Sequence, residues 1–223
     1  MTRGISFIPF KHPIQLTAAE MKQSAKKFYS LLNGRRTIRE FSSREVDLEV
    51  IEDCVRAAST APSGAHKQPW HFVVVSDPEV KQKIRMEAEK EEHVFYSGRA
   101  SDEWLEALLP FGTDEHKPFL ETAPYLIVIF AKNYDLTDDG ARSKNYYVQE
   151  SVGIATGMLI AALHQSGLST LTHTPSPMGF LSEVLERPKN ERAYILLVVG
   201  HASEDAEVPD IERKPLKDIA TFV

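Results

Sequence analysis

The chain has 223 residues, 42% of them apolar, and a formal net charge of −6 from 32 acidic and 26 basic residues. This length and apolar content suit a single domain with a sizeable core over residues 1–223. The acidic balance argues against a general nucleic-acid binder, which needs a net basic face to neutralise phosphates. The one cysteine, Cys54, excludes an internal disulfide framework and a cysteine-based zinc site.

The sequence contains neither a secretory signal nor a run approaching the roughly 20 apolar residues that cross a bilayer. We therefore expect a cytoplasmic protein that does not enter a membrane. The histidines show no His-x-x-x-His pairing, so metal catalysis has little support. No Gly-x-Gly-x-x-Gly motif follows a predicted strand, which disfavours the usual dinucleotide-binding fold.

Capping residues predict three helices in the first half of the chain. A capping box at Thr17, with a glutamate three residues later, opens a helix over 17–33. Asp47 and Asp77 open the second and third helices, the last with proline in its first turn. Between these two helices, the β-rich run Trp70–Val75 predicts a strand.

Residues 87–121 are highly charged, yet aromatic and leucine side chains interrupt the charges. Such a segment can be helical without burying itself fully. We predict that it forms a mobile lid on a core of sheet and helices.

The second half alternates between predicted strands and helices. Strands are expected over 125–131, 168–172 and 193–199, and helices over 143–166 and 180–185. The strand at 125–131 is continuously apolar, as expected for a strand covered on both faces. The tail at 215–223 ends in apolar residues, and we expect a partner subunit to cover them.

Three arginines, Arg35, Arg36 and Arg39, occur within five residues directly after the first predicted helix. The planar guanidinium suits phosphate because it donates two parallel charge-assisted hydrogen bonds. A solvated basic loop remains the alternative, since it explains most such runs taken singly.

Small residues fill the run Thr60-Ala61-Pro62-Ser63-Gly64-Ala65-His66. They let the backbone approach a flat ligand, and exposed N–H groups there suit an anionic oxygen. An ordinary turn before a strand explains the same spacing equally well. Thr-His-Thr-Pro at 172–175 and the basic pair at 213–214 are weak signals on their own.

Taken together, these motifs resemble the nitroreductase-like FMN flavoproteins and, within them, the iodotyrosine deiodinase family. The resemblance covers about residues 30–223 and is far more specific than any single motif. It is carried by Arg-Arg-Thr-Ile-Arg (35–39), Thr-Ala-Pro-Ser-Gly-Ala-His (60–66), Thr-Pro (174–175) and Val-Pro-Asp-Ile-Glu-Arg-Lys-Pro-Leu (208–216).

The resemblance implies an α+β fold, a mixed sheet flanked by helices, in a domain-swapped homodimer with FMN at the subunit interface. Arg35, Arg36 and Arg213 would bind the FMN phosphate, and Thr37 and Arg39 would lie nearer the ring. Thr174 would be catalytic, because a donor to flavin N5 favours the one-electron-reduced ring. The remaining implied cofactor contacts are Pro62, Ser63, Gly64 and Thr172.

The resemblance also implies a halotyrosine substrate, dehalogenated to tyrosine and halide by reduced FMN. Glu92 would accept the substrate ammonium, while Tyr96 and Lys117 would donate to its carboxylate. The backbone N–H of Ala65 would bind the phenolate oxygen. An unidentified reductant or reductase would supply the electrons, and Cys54 would take no part.

The sequence departs from the family pattern at residues 99–115, at His173 and at 176–179. Vertebrate members carry an N-terminal membrane anchor, and residues 1–16 contain none, so a soluble form is expected. Two alternatives stay open: a general NAD(P)H-dependent nitroreductase or quinone reductase on the same fold, and a non-catalytic flavin-binding protein. Neither alternative needs the lid residues Glu92, Tyr96 and Lys117.

Overall fold

The computed structural model describes residues 6–12 and 14–223 and divides into two units, one ending at Arg35 and one beginning at Arg36. The first unit carries helix α1 (Ala18–Asn33). The Glu20 carboxylate accepts the Thr17 N–H at 2.8 Å, and the Thr17 hydroxyl accepts the Glu20 N–H. These reciprocal bonds confirm the predicted capping box. A single domain over residues 1–223 stays a prediction.

Within residues 36–223, a four-stranded sheet is accompanied by helices and by a short hairpin. The strands are β1 (Trp70–Val75), β2 (Tyr125–Lys132), β3 (Tyr134–Leu136), β4 (Arg142–Lys144), β5 (Ser169–His173) and β6 (Glu191–Gly200). The helices are α2 (Leu48–Ser59), α3 (Pro78–Val94), α4 (Asp102–Leu108), α5 (Phe119–Thr122), α6 (Val148–Gln165), α7 (Gly179–Val184) and α8 (Leu216–Ile219).

The main sheet has the order β1-β2-β6-β5, and each neighbouring pair of these strands is antiparallel. A parallel pairing enters at an isolated bridge between Thr37 and Thr170, where the Ile38 N–H donates to the Thr170 carbonyl at 3.3 Å. The four strands of this sheet are therefore antiparallel rather than mixed, and this bridge is a parallel pairing outside them. The bridge also places the run 36–39 along the edge of β5.

Helices cover both faces of the sheet, and strand β2 shows the pattern most clearly. Ile127 and Ile129 pack in the cluster that includes residues of α2 and α6. Leu126, Val128 and Phe130 pack in the other cluster, with residues of α3 and α7. Successive side chains of a strand point to opposite faces, so a strand covered on both faces is continuously apolar, as predicted. Cys54 is buried in the first cluster.

The expected helix over 143–166 begins later than predicted. The structure starts α6 at Val148, and Arg142–Lys144 instead form β4, which pairs with β3. Tyr147 has a φ of 49°, a left-handed conformation that a helix interior does not accept. The prediction for 143–147 was therefore wrong, and the β3–β4 hairpin was not predicted.

The remaining elements agree with the predictions to within a few residues. β5, α7 and β6 lie where two strands and a helix were expected. The apolar tail residues Ile219, Phe222 and Val223 are exposed in this chain, and their burial against a partner subunit stays a prediction. Among the described residues, no helix is both long and apolar enough to cross a membrane.

Candidate active site

A cavity of about 350 Å³ lies where the end of α3, the segment before α5 and the end of β5 meet. It brings together residues that are far apart in the sequence but were predicted to share one site. Those predicted residues are Arg39, Glu92, Tyr96, Lys117, Thr172 and Thr174.

A buried ion pair forms one wall of the cavity. The Lys117 ammonium lies 3.3 Å from the Glu92 carboxylate, and the two side chains are only 3% and 14% exposed. The same ammonium donates to the Thr113 hydroxyl at 3.3 Å and to the Asp114 carbonyl. It also lies over the Tyr96 ring, 5.6 Å from the centroid. The wall thus presents an anion, a cation and a phenol hydroxyl side by side.

Burial shifts the pKa values of two side chains in this wall, Glu92 and Tyr96. Desolvation raises the pKa of Glu92, although the neighbouring Lys117 charge opposes the rise. Desolvation likewise raises the pKa of Tyr96, whose hydroxyl donates to the Thr113 carbonyl at 3.1 Å. Tyr96 therefore stays a neutral hydrogen-bond donor at physiological pH. Charge interactions in such a site are stronger than in water.

Glu92 lies near the end of α3, and Tyr96 lies four residues further on, in the helical turn that continues it. Residues four apart in a helical segment are neighbours, and both line the cavity. Beyond α3 the chain makes a π-helical turn, Phe95–Arg99. The Phe95 ring packs edge-on against the Trp104 ring of α4, with centroids 5.0 Å apart. The predicted lid at 87–121 therefore contains folded helical segments, and its mobility stays a prediction.

The side chains at the end of β5 and directly after it point alternately to the two sides of the strand. Thr172 and Thr174 are exposed, whereas His173 between them is 7% exposed and packs edge-on against Phe119. Burial, together with the Lys117 charge, lowers the pKa of His173 to about 3. Its Nε2 atom has no hydrogen-bond partner among the residues that the structure describes. Sequence reasoning noted His173 only as a departure and missed its place in the cavity wall.

The segment 36–39, which contains Arg36 and Arg39, lies beside β5. Arg39 lies in the cavity wall, half-buried, with its guanidinium 5.6 Å from the Phe111 ring centroid. Burial lowers the pKa of Arg39 from its usual range. Arg36 donates to the Pro209 carbonyl, and Thr37 forms the bridge to β5. Arg39 thus lines the same cavity as Thr172 and Thr174.

Other predicted cofactor residues do not line this cavity. Arg35 is the half-buried last residue of the first unit, and Arg213 is exposed. The exposed Pro62 precedes Ser63, whose hydroxyl accepts the Gln68 N–H at 2.9 Å.

Gly64 and Ala65 form a tight turn with an unusual backbone. A Cβ at Gly64 would lie 2.7 Å from the Tyr146 carbonyl oxygen, so a side chain does not fit there. Ala65 has a φ of 50°, a conformation that persists only where the surrounding structure holds it. The predicted ligand contacts of both residues remain predictions.

Two further residues of the cavity wall were not predicted. Arg99 donates to the Glu91 carbonyl at 3.1 Å and to the carbonyl of Ser176, in the loop after β5. Arg99 and Ser176 both line the cavity. The segments 99–115 and 176–179, at which the sequence departs from the family pattern, thus contact one another at the site.

The sequence matches the nitroreductase family over residues 32–201. An iodotyrosine deiodinase from Haliscomenobacter hydrossis is 61% identical over 214 residues, which cover 96% of each chain. The chain belongs to the iodotyrosine deiodinase group of the nitroreductase family.

More distant members of the iodotyrosine deiodinase group agree. Iodotyrosine deiodinase 1 from Homo sapiens is 44% identical over 221 residues, covering 99% of this chain and 76% of the human protein. A crystal structure of oxidized iodotyrosine deiodinase bound to FMN and 3-iodo-L-tyrosine has a TM-score of 0.74 at 30% identity. It covers 87% of this chain and 100% of that chain. The predicted nitroreductase-like α+β fold and the predicted family are confirmed.

Proposed function

We propose that the protein is an FMN-dependent reductive dehalogenase that converts mono- and di-iodotyrosine to tyrosine and iodide. The buried pair of Glu92 and Lys117, with Tyr96 beside it in one cavity, carries this proposal. Membership of the deiodinase group and the solved relative bound to FMN and 3-iodo-L-tyrosine support it.

The three-residue wall fits the zwitterionic end of an amino acid. Glu92 accepts the substrate ammonium, while Lys117 and Tyr96 donate to the substrate carboxylate. Each protein charge exchanges its present partner for a substrate group of the same sign, so neither becomes buried without a counter-charge. A nitroaromatic or a quinone has no zwitterion and would leave this recognition unused.

FMN fits the basic edge of β5. Bound FMN supplies two electrons which, with one proton, replace the carbon–iodine bond by a carbon–hydrogen bond and release iodide. Arg36 and Thr37 would hold the phosphate and ribityl side, together with Arg35 and Arg213. Arg39 would lie near the ring, where its positive charge stabilises reduced flavin.

The homodimer completes the proposed site. Pro62, Ser63 and Gly64 do not line the cavity of their own chain, which agrees with their contacting FMN in the facing subunit of a domain-swapped dimer. The backbone N–H of Ala65 would then reach the phenolate oxygen of the substrate. An external reductant or reductase restores the reduced cofactor.

Thr174 is the proposed catalytic residue. Its exposed side chain directly follows β5, in the same cavity as Glu92 and Lys117. Its hydroxyl would donate to flavin N5 and favour electron transfer in single steps. Thr174→Ala should therefore reduce dehalogenation strongly but leave nitroaromatic reduction measurable, whereas Thr174→Ser should retain both activities. Equal loss of both activities in Thr174→Ala would contradict this role.

The function is tested with the purified protein. A yellow flavin spectrum is expected, and addition of dithionite and 3-iodotyrosine should yield tyrosine and iodide. Glu92→Gln should abolish turnover at substrate concentrations that suffice for the unmodified enzyme. Glu87→Gln is the matched control, because Glu87 lies on the same helix and pairs with the exposed Lys90.

The possible outcomes separate the alternatives. Nitroaromatic reduction without dehalogenation would indicate a general nitroreductase. Bound flavin with neither activity would indicate a flavin-binding protein, and failure to take up FMN would overturn the cofactor assignment.

A further inference from the structure

A row of polar side chains joins α3 and its continuation to the returning segment 113–123. Their spacing of four, four, three and four residues places them on one helical face. The members of this polar row are Lys81, Arg85, Glu89, Glu92 and Tyr96. Their partners follow in reverse order, from Ala123 to Thr113, so the two segments lie antiparallel.

The first members of the polar row lie outside the cavity and hold α5. The buried Lys81 ammonium donates to the Glu121 carbonyl at 2.9 Å and to the Ala123 carbonyl at 2.8 Å. Glu121 lies in the last turn of the short helix α5 and Ala123 directly follows that helix, so neither carbonyl has a further helical turn to bond. Arg85 lies 3.3 Å from the Glu121 carboxylate. This end of the returning segment is therefore attached to α3 at three points.

Glu89 is the central member and contacts the main chain of Lys117. One carboxylate oxygen, Oε1, accepts the Lys117 N–H at 2.6 Å and the Arg85 Nε–H at 2.8 Å. Burial alone would raise the pKa of Glu89, but these two donors outweigh it and lower the pKa. Glu89 therefore remains ionised and keeps both contacts at neutral pH.

Glu89 and Glu92 thus contact the same lysine from two sides. Glu89 holds the Lys117 backbone outside the cavity, and Glu92 faces the Lys117 ammonium inside it. The Lys117 ammonium contacts Glu92, the Thr113 hydroxyl and the Asp114 carbonyl at once, and a shift of the Lys117 backbone would change its reach to all three. Displacement of a binding group by about 1 Å is enough to weaken a site severely.

We propose that Glu89, held by Arg85, is a positioning residue that sets the Lys117 ammonium for the carboxylate of the amino-acid substrate. The inference rests on the proposed function for the identity of the ligand. It adds a determinant of selectivity for amino acids over simple phenols, made by a side chain that does not touch the ligand.

The test compares two ligands that differ in the zwitterion. Dissociation constants of 3-iodotyrosine and 2-iodophenol are measured by quenching of flavin fluorescence in the FMN-loaded protein. Glu89→Ala should weaken 3-iodotyrosine binding by about tenfold, the loss expected for a charged hydrogen bond. Binding of 2-iodophenol should change by less than about twofold, since it makes no contact with Lys117.

Two further variants complete the series. Glu89→Gln keeps an acceptor for the Lys117 N–H but loses the charge that Arg85 contacts, so it should give an intermediate loss. Glu87→Gln should change neither dissociation constant. In turnover, KM should rise in the Glu89 variants while kcat stays within about threefold, as expected for lost ground-state binding.

The outcomes separate the inference from the proposed function. If Glu89→Ala weakens both ligands equally, or neither, the positioning role is wrong. Amide hydrogen exchange at Lys117 gives a readout without ligand: it should accelerate in Glu89→Ala, and unchanged exchange would also overturn the inference. Failure of the unmodified protein to bind 3-iodotyrosine would instead contradict the proposed function.

Discussion

The Lys117 ammonium lies 3.3 Å from the Glu92 carboxylate in a cavity wall where both side chains are nearly inaccessible to water. The two groups proposed to receive the opposite charges of an amino acid therefore neutralise each other within the protein. Loss of one partner from a buried pair leaves an uncompensated charge, whereas loss of both does not. The interaction between Glu92 and Lys117 can therefore be tested by measuring the free energy of unfolding of single and double variants.

The first prediction concerns the stability of single and double variants of this pair. Lys117→Met should lower the free energy of unfolding by about 3–5 kcal/mol, because it leaves the Glu92 carboxylate buried alone. The double variant Glu92→Gln, Lys117→Met should be more stable than the single Lys117→Met variant. Urea denaturation with FMN at saturation measures both. Strictly additive effects would show that the two side chains are not coupled.

The second prediction concerns the pH dependence of binding. Burial raises the pKa of Glu92 above 4.5, the usual value for glutamate. Because only the ionised carboxylate accepts the substrate ammonium strongly, affinity for 3-iodotyrosine is present above this pKa and is lost as the pH falls through it. Dissociation constants measured from pH 8 down to pH 5 should rise more steeply for 3-iodotyrosine than for 2-iodophenol, because both ligands share the titration of the phenol but only 3-iodotyrosine has an ammonium group for Glu92. Glu92→Gln should remove the difference in pH dependence between the two ligands.

Helix starts were predictable because the residues that determine them are local. The Asp47 carboxylate accepts the Glu49 N–H at 2.9 Å, and the Asp77 carboxylate accepts the Glu79 and Val80 N–H groups. Such caps depend on two or three consecutive residues. The sequence alone therefore places the starts of α2 and α3.

The β3–β4 hairpin was not predictable in the same way. Arg142–Lys144 is short and polar, without the alternation that marks a strand. Its conformation depends on pairing with Tyr134–Leu136, and the left-handed Tyr147 then delays the start of α6. Local pattern reasoning extends the helix because it contains no information about that pairing.

Site residues were likewise predictable only where the residues that determine their positions are close in the sequence. Glu92 and Tyr96 could be placed together because they are four residues apart in one continuous helical segment. Glu89 could not be singled out, because its partner Lys117 is 28 residues away and most carboxylates of an acidic helix are merely solvated. His173 was missed for a similar reason, since its burial depends on Phe119 and not on its neighbours in β5.

The third prediction concerns the buried His173. Its pKa is about 3 in the folded protein against an ordinary value of 6.5. Between these values the unfolded chain takes up a proton that the folded chain does not, so stability falls as the pH decreases from 6.5 towards 3. The contribution is at most about 1.4 kcal/mol per pH unit.

Variants of two histidines test this dependence of the free energy of unfolding on pH. The free energy of unfolding of His173→Gln should fall less steeply between pH 7 and pH 5 than that of the unmodified protein. His116→Gln is the control, because the His116 side chain is 69% exposed. The same slope in all three proteins would show that His173 does not stay neutral in the folded state.

The fourth prediction concerns the close approach at Gly200. A Cβ at this position would lie 2.5 Å from the Pro124 Cδ atom, and the proline ring has little freedom to move away. Gly200→Ala should therefore lower the free energy of unfolding by about 1–3 kcal/mol. Gly179→Ala should have little effect, since its added Cβ would have no described atom within 4 Å apart from its chain neighbours and the backbone of its own helix. Equal stabilities of the two variants in urea denaturation would contradict the packing argument.

The fifth prediction concerns Arg99, which joins the segment after α3 to the loop after β5. Its guanidinium contacts the Glu91 carboxylate at 3.3 Å and donates to the Ser176 carbonyl, across residues that line the cavity. Removal of charged hydrogen bonds of this kind costs about 1.5–3 kcal/mol each. Arg99→Met should therefore speed amide hydrogen exchange in residues 97–112 by at least about tenfold.

The polar row predicts where this increase should stop. Residues 78–96 and 113–123 remain joined by contacts that Arg99 does not make, so their exchange should be unchanged. Arg56→Met is the matched control, because Arg56 forms exposed ion pairs on α2, away from the cavity. Addition of 3-iodotyrosine should restore protection of residues 97–112 if they close over the proposed substrate. Faster exchange throughout α3 would show instead that the predicted lid opens as one body, and that the polar row does not hold its two ends.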